Sequence, residues 1–295
     1  MKVYVTGGSG FVGGHVVREL RERGAEVRDE RADLLDPGAL ERALAGCEAA
    51  VHVAALYSYD ADPVEIERVN VEGTRNLVAA AERTGVRRLV HCSTAGTCGP
   101  VVGRQATEED SPPGWELAVP YKRTKLAAER LALAAGAVVV NPTTPVGEGD
   151  HKPTPTGRMI VGVATGRIRA FVATTGLNVV DVRDVARGHA LALERGEQGQ
   201  RYLLGGADLP LEELFASIAA LAGRPRPRLR VPYAVALAAG RAGLVNREEV
   251  RLARIPMYFS WEKARTRLGY EPGPVEPALA RAVAEALSVN GKGGA

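Results

Sequence analysis

Short apolar runs alternate with longer amphipathic stretches through the first half of the chain. The apolar runs lie at residues 3–5, 49–54, 88–92 and 137–140, with a shorter one around Val27. The stretches with helical spacing lie between them, at residues 13–23, 37–44, 69–83 and 121–134. Because strands that are buried on both faces read as continuous apolar runs, this alternation predicts a parallel sheet with helices on both sides.

The pattern changes after Asn141. Residues 142–157 are rich in proline and glycine, and we expect them to form an irregular loop. A helical pattern returns at residues 182–193, and residues 201–204 are expected to add one more strand to the same sheet. From residue 207 onward the pattern is helical and interrupted by prolines, which indicates a small C-terminal lobe.

Composition limits the kinds of partner and compartment. The 295 residues carry a net charge of only +3, which gives no reason to expect nucleic acid or a membrane surface as a partner. No apolar run is long enough to span a bilayer. The three cysteines, Cys47, Cys92 and Cys98, lack metal-ligand spacing, and their odd number suits a reducing cytoplasm. The arginine-rich stretch at residues 224–230 is interpreted as a solvated loop in preference to an anion site.

A glycine-rich turn follows the first predicted strand and opens the first predicted helix. It has glycines at positions 7, 10 and 13, with Phe11 and Val12 between the last two. Gly7 permits the tight turn, Gly10 lets the backbone approach a pyrophosphate, and Gly13 lets helix and strand pack closely. The free N–H groups and the dipole at the helix start would then hold the anion.

Together these features predict an α/β fold with a Rossmann-type, doubly wound parallel sheet and a small C-terminal lobe. We assign residues 1–141 and 178–206 to a dinucleotide-binding domain. Residues 142–177 and 207–295 would form the substrate-binding lobe.

The end of the second strand should read the adenosine ribose of the dinucleotide. An acidic residue there accepts from the 2′-hydroxyl of NAD, whereas arginine suits the 2′-phosphate of NADP. The sequence has Arg28, Asp29, Glu30 and Arg31 in a row, so residues suited to NAD and residues suited to NADP are both present. The two arginines favour NADP(H), with Glu30 a further ribose candidate. Asp33 is a candidate acceptor for the adenine amino group, whereas Asp36 before Pro37 is interpreted as a helix cap.

A tyrosine and a lysine share one face of a predicted helix. Tyr121 and Lys125 are four residues apart, and a nearby ammonium is expected to lower the pKa of a phenol. The strand that ends at residue 92 is followed by the hydroxyl residues Ser93 and Thr94, which could hydrogen-bond a substrate oxygen beside the tyrosine. The combination predicts proton transfer coupled to nicotinamide chemistry.

These motifs resemble the extended short-chain dehydrogenase/reductases, also called the NAD-dependent epimerase/dehydratase family. Within it the chain is most similar to hopanoid-associated sugar epimerases and dihydroflavonol 4-reductase-like proteins. The segments that carry the resemblance include TGGSGFVG at 6–13, VHVAA at 51–55, RVNVEGTRNL at 68–77, YKRTK at 121–125 and NPTTPVG at 141–147. Further matches reach SWEKARTRLGYEP at 260–272, so the resemblance covers nearly the whole chain.

The resemblance implies a catalytic triad of Thr94, Tyr121 and Lys125, with Ser93 the alternative hydroxyl. It also implies that Lys125 contacts the nicotinamide ribose and that Asn70 lies near the cofactor. The remaining residues implied around the cofactor are Leu34, Ala54, Ala55, Ser93, Tyr121, Pro142 and Thr143. Candidate substrate contacts are Tyr57, Thr94, Thr144, Met159 and Phe171.

Two departures from the family pattern affect these expectations. The stretch between the second strand and Asp33 is shorter than in most members, which alters the adenosine pocket. Leu177 stands where nucleotide-sugar epimerases carry an arginine for the sugar-nucleotide diphosphate, and a leucine cannot pair with a diphosphate. A ketone on an apolar or polycyclic skeleton therefore becomes the preferred substrate.

The preferred hypothesis is an NAD(P)H-dependent ketoreductase or alcohol dehydrogenase acting on a small molecule. An NAD-dependent sugar epimerase that uses the same residues is the alternative. A non-catalytic dinucleotide sensor is a remote third, because loss of Tyr121 or Lys125 would have favoured it and both are present. The resemblance adds a homodimer as an expectation.

Overall fold

The computed structural model describes residues 1–57 and 61–291. The strands, β1 to β11 in chain order, are Lys2–Thr6, Glu26–Arg28, Ala49–His52, Arg88–Cys92, Val138–Pro142, Thr144–Val146, Ala170–Val172, Gly176–Asp181, Arg201–Leu204, Ala207–Pro210 and Leu229–Val231. The helices, α1 to α12, are Phe11–Glu22, Pro37–Leu44, Pro63–Glu67, Gly73–Arg83, Pro120–Ala134, Pro155–Ala164, Val182–Arg195, Leu211–Leu221, Tyr233–Arg241, Arg247–Leu252, Glu262–Leu268 and Glu276–Gly291.

Six parallel strands form the main sheet, in the order β2-β1-β3-β4-β5-β9. Successive side chains of a strand point to opposite faces, so each central strand contributes to two cores. In β1, Val3 and Val5 pack in the core under α1 and α7, whereas Tyr4 packs in the core under α2 and α4. This two-sided burial explains why the strands read as apolar runs, and it confirms the predicted fold class.

Most elements of this sheet were predicted within a few residues of their observed bounds. Helix α2 begins at Pro37 as expected, and Asp36 caps it by accepting a hydrogen bond from the Ala39 N–H at 3.1 Å. The predicted helix over residues 69–83 begins instead with a π-helical turn, Arg68–Glu72, before α4. Strand β9 joins the sheet beside β5, as expected.

The second half contains more strand than its pattern predicted. Strands β10, β8 and β6 form a three-stranded sheet, and β11 pairs with β7 in a two-stranded one. Residues 144–146, expected to be loop, pair with residues 179–181, and residues 207–210 pair with β8 although a helical pattern was expected there. These strands are three to six residues long and pair with partners distant in sequence, so little local pattern marks them.

A separate hydrophobic core lies among these smaller elements. It joins α6, α8 and α12 through side chains such as Ile160, Leu214, Phe215 and Leu279. The last residues of the predicted lobe, 292–295, lie outside the described part of the chain. None of the helices formed by the described residues has the length and apolar character needed to cross a membrane.

Candidate active site

The glycine-rich turn connects β1 to α1 with backbone geometry that requires glycine. Gly7 has a φ of +73°, and the Gly10 N–H donates to the Gly7 carbonyl at 2.9 Å. A Cβ on Gly13 would lie 2.0 Å from that carbonyl oxygen, so helix and turn approach too closely for any side chain. No side chain of the described residues caps α1, which begins at Phe11. The first-turn N–H groups, including those of Phe11, Val12 and Gly13, can therefore serve an anionic ligand.

The residues after β2 differ from the adenosine pocket that we expected. Arg28 does not face the glycine turn: its Nη1 donates to the carbonyl of Ala45 at 3.0 Å, at the end of α2. Asp29 occupies the position beside the turn, since a Cβ on Gly8 would lie 2.7 Å from the Asp29 Cβ. The Asp29 carboxylate also pairs with Arg21 at 2.8 Å. Sequence reasoning did not single out Asp29, because four charged residues stand in a row and only the fold decides their directions.

The other adenosine candidates make local or packing contacts. The Asp33 carboxylate accepts from the Leu35 N–H at 2.9 Å, and Leu34 packs against the helix that contains Gly73. The Glu30 carbonyl accepts from the Tyr4 hydroxyl at 3.2 Å. Both Glu30 and Arg31 are exposed.

Two buried side chains hold the segment that follows β3. The Thr6 hydroxyl accepts from the N–H groups of Val53 and Ala54, each at 3.1 Å. Asn70, in the π-helical turn, accepts from the Leu56 N–H at 2.7 Å and donates to the Leu56 carbonyl at 3.2 Å. Ala54 and Ala55 are thereby held at the carboxyl edge of the sheet, beside the glycine turn. Asn70 supports this edge through its two hydrogen bonds to the Leu56 backbone.

Tyr121 lies in the first turn of α5 and is almost fully buried. Its ring stacks on Tyr57, with 4.4 Å between ring centroids, and packs with Val119 and Leu252. Burial raises the pKa of Tyr121 well above its ordinary value, with smaller contributions from Tyr57 and Cys92. An ordinary phenol is protonated at neutral pH, and burial favours the same form, so Tyr121 can act as a proton donor.

Lys125 is anchored to the strand end next to the tyrosine. Its Nζ donates to the carbonyl of Cys92 at 2.7 Å, and burial lowers its pKa. Our expectation that this ammonium lowers the pKa of Tyr121 below its ordinary value is wrong, since that pKa is raised. The physical reason is that desolvation of the phenol dominates while the ammonium is directed at a carbonyl.

Thr94 follows β4 and is the N-cap of a short 3-10 turn, Ala95–Thr97. Its hydroxyl oxygen accepts from the Gly96 N–H at 3.3 Å, which leaves the hydroxyl proton for a second partner. Ser93, the alternative hydroxyl, is buried, and its Oγ has no hydrogen-bond partner among the described residues. Thr94 is the more accessible of the two.

A buried polar network lies behind Thr94, and sequence reasoning missed it. The Asn141 side-chain amide donates to the Thr94 carbonyl at 3.2 Å and to the Glu129 carboxylate at 2.7 Å. Arg201 pairs with the same carboxylate at 2.8 Å, and Thr97 donates to it at 2.6 Å. Because buried charges are costly unless they are paired, this network fixes the turn that presents Thr94. The sequence signal for it is Glu129, which follows Lys125 by four residues and therefore shares its helical face.

The remaining cofactor and substrate candidates occupy different environments. Pro142 and Thr143 lie at the end of β5, where the Thr143 N–H donates to the Leu204 carbonyl at 3.2 Å. Thr144 is half-buried at the start of β6. Met159 packs against the core of the lobe. Phe171 is a core residue there, with its ring edge-to-face on Phe215 at 6.0 Å.

A cavity of about 210 Å³ lies between the glycine turn and the lobe. It is lined mostly by apolar side chains, among them Phe11, Val146, Ile160 and Ala282. Neither Thr94 nor Tyr121 lines this cavity. We therefore assign proton transfer to the surroundings of Thr94 and Tyr121 rather than to the cavity. Within residues 1–57 and 61–291, no group of three histidine, cysteine, aspartate or glutamate side chains is arranged to hold a metal ion.

Comparison with known proteins agrees with this arrangement. The model of the NAD-dependent epimerase/dehydratase family matches residues 3–205. A Synechocystis sp. protein named as a dihydroflavonol 4-reductase is 37% identical and covers 95% of this chain and 93% of its own length. Sterol demethylase protein B of Methylococcus capsulatus is 33% identical, covering 96% of this chain and 98% of its own. The crystal structure of a nucleoside-diphosphate-sugar epimerase from Pseudomonas aeruginosa superposes with a TM-score of 0.84 at 27% identity, over 99% of this chain and 98% of that one.

Proposed function

The chain belongs to the NAD-dependent epimerase/dehydratase family, and we propose that it reduces a ketone on an apolar or polycyclic skeleton to a secondary alcohol. It is an oxidoreductase-type enzyme of the short-chain dehydrogenase/reductase class that uses a nicotinamide coenzyme. The observation that carries the proposal is a buried phenol at Tyr121, whose helix is tied through Lys125 to the strand end that precedes Thr94.

The glycine turn fits the pyrophosphate of such a coenzyme. Gly7, Gly10 and Gly13 leave no side chain between the backbone and an anion, and the helix start offers N–H donors without a side-chain cap. Ala54 and Ala55, beside this turn, are small enough to leave room along the cleft. When bound, the nicotinamide supplies the hydride that reaches the carbonyl carbon.

The protein's own residues orient the carbonyl oxygen of the substrate and protonate it. Thr94 donates its hydroxyl proton to that oxygen as a hydrogen bond and so orients it. Tyr121 transfers its phenolic proton to the same oxygen as negative charge develops there, which completes the alcohol. The Lys125 ammonium, one helical turn away on the same face, would offset part of the burial penalty on the phenolate that Tyr121 becomes. Asn141 and Glu129 keep Thr94 in position.

The substrate class rests on Leu177 and on the relatives. Leu177 lies in β8, opposite Leu209, and packs against the apolar core of the lobe, so this position offers no cation to a diphosphate. Two relatives carry names that refer to a dihydroflavonol reductase and to a sterol demethylase, which supports a polycyclic skeleton. The alternative, a sugar epimerase, is supported by the likeness to the Pseudomonas aeruginosa enzyme.

Isotope transfer separates the two reactions. The protein is incubated with NADH or NADPH carrying two deuterium atoms at C4 and with hydrophobic ketones, including a 3-oxosteroid. We expect one deuterium in each alcohol formed and one coenzyme oxidised per product, because a reductase consumes its hydride donor. Turnover of a sugar with no net coenzyme oxidation, together with NAD that stays bound through purification, would establish the epimerase instead.

The coenzyme preference is a second proposal. Arg28 and Arg31 suggested NADP(H), but the hydrogen bond from Arg28 to the Ala45 carbonyl takes that guanidinium away from the ribose position. The Asp29 carboxylate beside Gly8 would accept from a 2′-hydroxyl and repel a 2′-phosphate. We therefore propose that NAD(H) binds at least as well as NADP(H).

Replacing Asp29 with Asn tests the coenzyme proposal. The change should weaken NADH binding roughly tenfold and leave NADPH unchanged or tighter, because a charge-assisted hydrogen bond and a repulsion are removed together. The matched control, Arg28→Ala together with Arg31→Ala, should alter both coenzymes equally. Fluorescence titration measures both affinities. If that control lost tenfold or more in NADPH affinity with NADH affinity unchanged, the two arginines would bind the 2′-phosphate after all.

The domain division, the location and the oligomeric state are also proposals. Residues 1–141 and 178–206 would bind the coenzyme, and residues 142–177 and 207–295 the substrate. A cytoplasmic location is supported by three cysteines that are all free and buried. A homodimer rests on the family resemblance alone.

A further inference from the structure

Exposed apolar side chains are concentrated in one stretch of the C-terminal lobe. Of the ten large apolar side chains that are exposed among the described residues, five fall within residues 221–245. They are Leu221, Leu229, Val235, Leu244 and Val245. Single exposed aliphatic side chains are ordinary on a protein surface, whereas several of them together indicate a surface that contacts something else.

Helix α9 presents an uncharged face to solvent. Val235 is 57% exposed, and Ala238 and Ala242, three and seven residues later, are exposed on the same side of the helix. On the opposite side Ala236 and Gly240 are buried, and there α9 packs on α10. The inner face is therefore part of the protein core, whereas the outer face is covered by none of the described elements.

The chain on either side of α9 extends this apolar surface. The Leu244 N–H donates to the Ala239 carbonyl at 3.0 Å, which holds Leu244 at the end of the helix, 78% exposed. Before the helix, Leu229 of β11 is 63% exposed. We call the following residues together the α9 surface: Leu229, Val235, Ala238, Ala242, Leu244 and Val245.

The same part of the lobe carries only positive charge. Residues 214–247 contain six arginines and no aspartate or glutamate. Residues 151–180, which include the neighbouring strand β7, also contain no acidic residue. The two segments meet where the Leu229 N–H donates to the Arg169 carbonyl at 3.3 Å. Because the whole chain has a net charge of only +3, its overall balance conceals this separation of charge.

Most arginines beside the α9 surface have no acidic partner. Arg224, Arg226 and Arg228 are exposed, and none of them forms an ion pair with a carboxylate within residues 1–57 and 61–291. Arg230 is the exception, since it pairs with Glu212 at 2.7 Å. The stretch at residues 224–230 is solvated, as expected, but it borders an exposed apolar surface. Its unpaired guanidinium groups give that surface a positive potential.

We propose that the α9 surface docks on the surface of an anionic lipid bilayer. Its aliphatic side chains would enter the boundary between headgroups and acyl chains, and the arginines beside it would pair with the negative charges of the headgroups. Docking of this kind needs no membrane-spanning helix, because the helix lies in the plane of the interface. An apolar ketone partitions into lipid, so docking would bring the enzyme to its substrate. Only this benefit rests on the proposed function.

Two other occupants fit the α9 surface less well. A second copy of the chain, related by a two-fold axis, would bring the same arginines to both sides of the interface, where like charges repel. Single-stranded RNA is bound largely by stacking of its bases on exposed aromatic rings. The α9 surface contains no aromatic residue, and the ring of Tyr233 lines an inner cavity together with Trp115.

Binding to vesicles of defined composition tests the proposal with the full chain. Vesicles of phosphatidylcholine with about 30% phosphatidylserine should bind the protein at least tenfold more tightly than vesicles of phosphatidylcholine alone, because the arginines need anionic headgroups. Raising the salt concentration from about 0.1 to 0.5 M should weaken this binding, since exposed charges are screened. Flotation measures the bound fraction.

Paired variants test the apolar part of the surface. Val235→Ser with Leu244→Ser should weaken binding to the anionic vesicles at least tenfold, because two inserting side chains become polar. The matched control is Val64→Ser with Val102→Ser, two side chains that are 71% and 78% exposed outside the lobe, and it should bind like the unchanged protein. Circular dichroism verifies that both variants fold.

A second pair of variants tests the charges. Arg226→Ala with Arg228→Ala should weaken binding to the anionic vesicles at least fivefold and leave binding to neutral vesicles unchanged. Its control, Arg42→Ala with Arg87→Ala, removes the same charge from exposed positions of the main-sheet region and should have no effect. Equal losses in this pair and its control would show nonspecific attraction and overturn the site.

Insertion is measured with a dye that responds to polarity. The native cysteines, Cys47, Cys92 and Cys98, are all buried, so a new surface cysteine can be labelled selectively. The dye on Leu244→Cys should shift its emission to the blue with anionic vesicles, whereas the dye on Val102→Cys should not. No shift at either position would overturn the insertion of the α9 surface.

The other occupants give different results in the same variants. If a 20-nucleotide RNA bound more tightly than the vesicles and lost affinity in the arginine pair, the surface would be a nucleic-acid site and the proposal would fail. If Val235→Ser with Leu244→Ser converted a dimer into a monomer in sedimentation velocity, the occupant would be a second copy. All these measurements are made without coenzyme. Vesicle binding without ketone reduction would therefore support the docking surface and refute only the proposed reaction.

Discussion

Replacing Tyr121 with Phe is expected to lower kcat for ketone reduction at least about 100-fold, while the Kd for coenzyme changes less than twofold. General acid catalysis by a positioned side chain contributes typically about 10²–10⁴-fold, and this change removes only the acid. The ring would keep its stacking on Tyr57 and its packing against Val119 and Leu252, so the fold should not change. Single-turnover kinetics with saturating coenzyme measures the effect on the chemical step.

Tyr202 provides the matched control for this variant. Its hydroxyl is also buried, and it accepts from the Glu197 N–H at 3.1 Å, but it lies in the core of the main sheet, far in sequence from the proposed triad. Tyr202→Phe should cost about 1 kcal/mol of stability and leave kcat unchanged. If Tyr121→Phe kept more than a tenth of the original kcat, the phenol could not be the proton donor.

Replacing Gly13 with Ala should weaken coenzyme binding at least about 100-fold and lower the free energy of unfolding by ~3 kcal/mol. The new Cβ would lie 2.0 Å from the Gly7 carbonyl oxygen, a separation that no flexible side chain can relieve, so the turn itself must move. Overpacking of this kind costs typically about 1–3 kcal/mol or more. The displaced turn would no longer direct its N–H groups at the pyrophosphate. Coenzyme titration and denaturant unfolding measure the two effects.

The next residue, Gly14, gives the control within the same helix. A Cβ there would lie 3.3 Å from the nearest atom, the Gly8 carbonyl oxygen, which a shift of a few tenths of an ångström can accommodate. Alanine also favours the helix over glycine by about 1 kcal/mol, so Gly14→Ala should leave stability nearly unchanged. Native coenzyme affinity in Gly13→Ala would refute the role given to the turn.

The sequence by itself determined the main sheet and the position of its chemistry. Buried parallel strands must be apolar on both faces, and the helices between them must be amphipathic, so residues 3–5, 88–92 and 121–134 could be read locally. The glycine turn was readable for a similar reason, because a close approach such as that of Gly13 to Gly7 allows no other residue. Tyr121 and Lys125 were found because helical spacing alone sets them on one face.

Only the tertiary structure decided which charges meet. Four charged residues follow β2, yet the end of α2 determines that Arg28 turns towards the Ala45 carbonyl and leaves Asp29 beside Gly8. Local spacing also suggested a lowered pKa for Tyr121, whereas burial against Tyr57 and Leu252 raises it.

The same limit applies to groups assembled from distant segments. Glu129, Asn141 and Arg201 form one network, and Trp115 meets arginines more than a hundred residues later in the sequence. Periodicity records which face of an element is buried, but it carries no information about which distant side chain faces it. Electrostatic energies depend on those distances and on desolvation, and both are set only when the chain has packed.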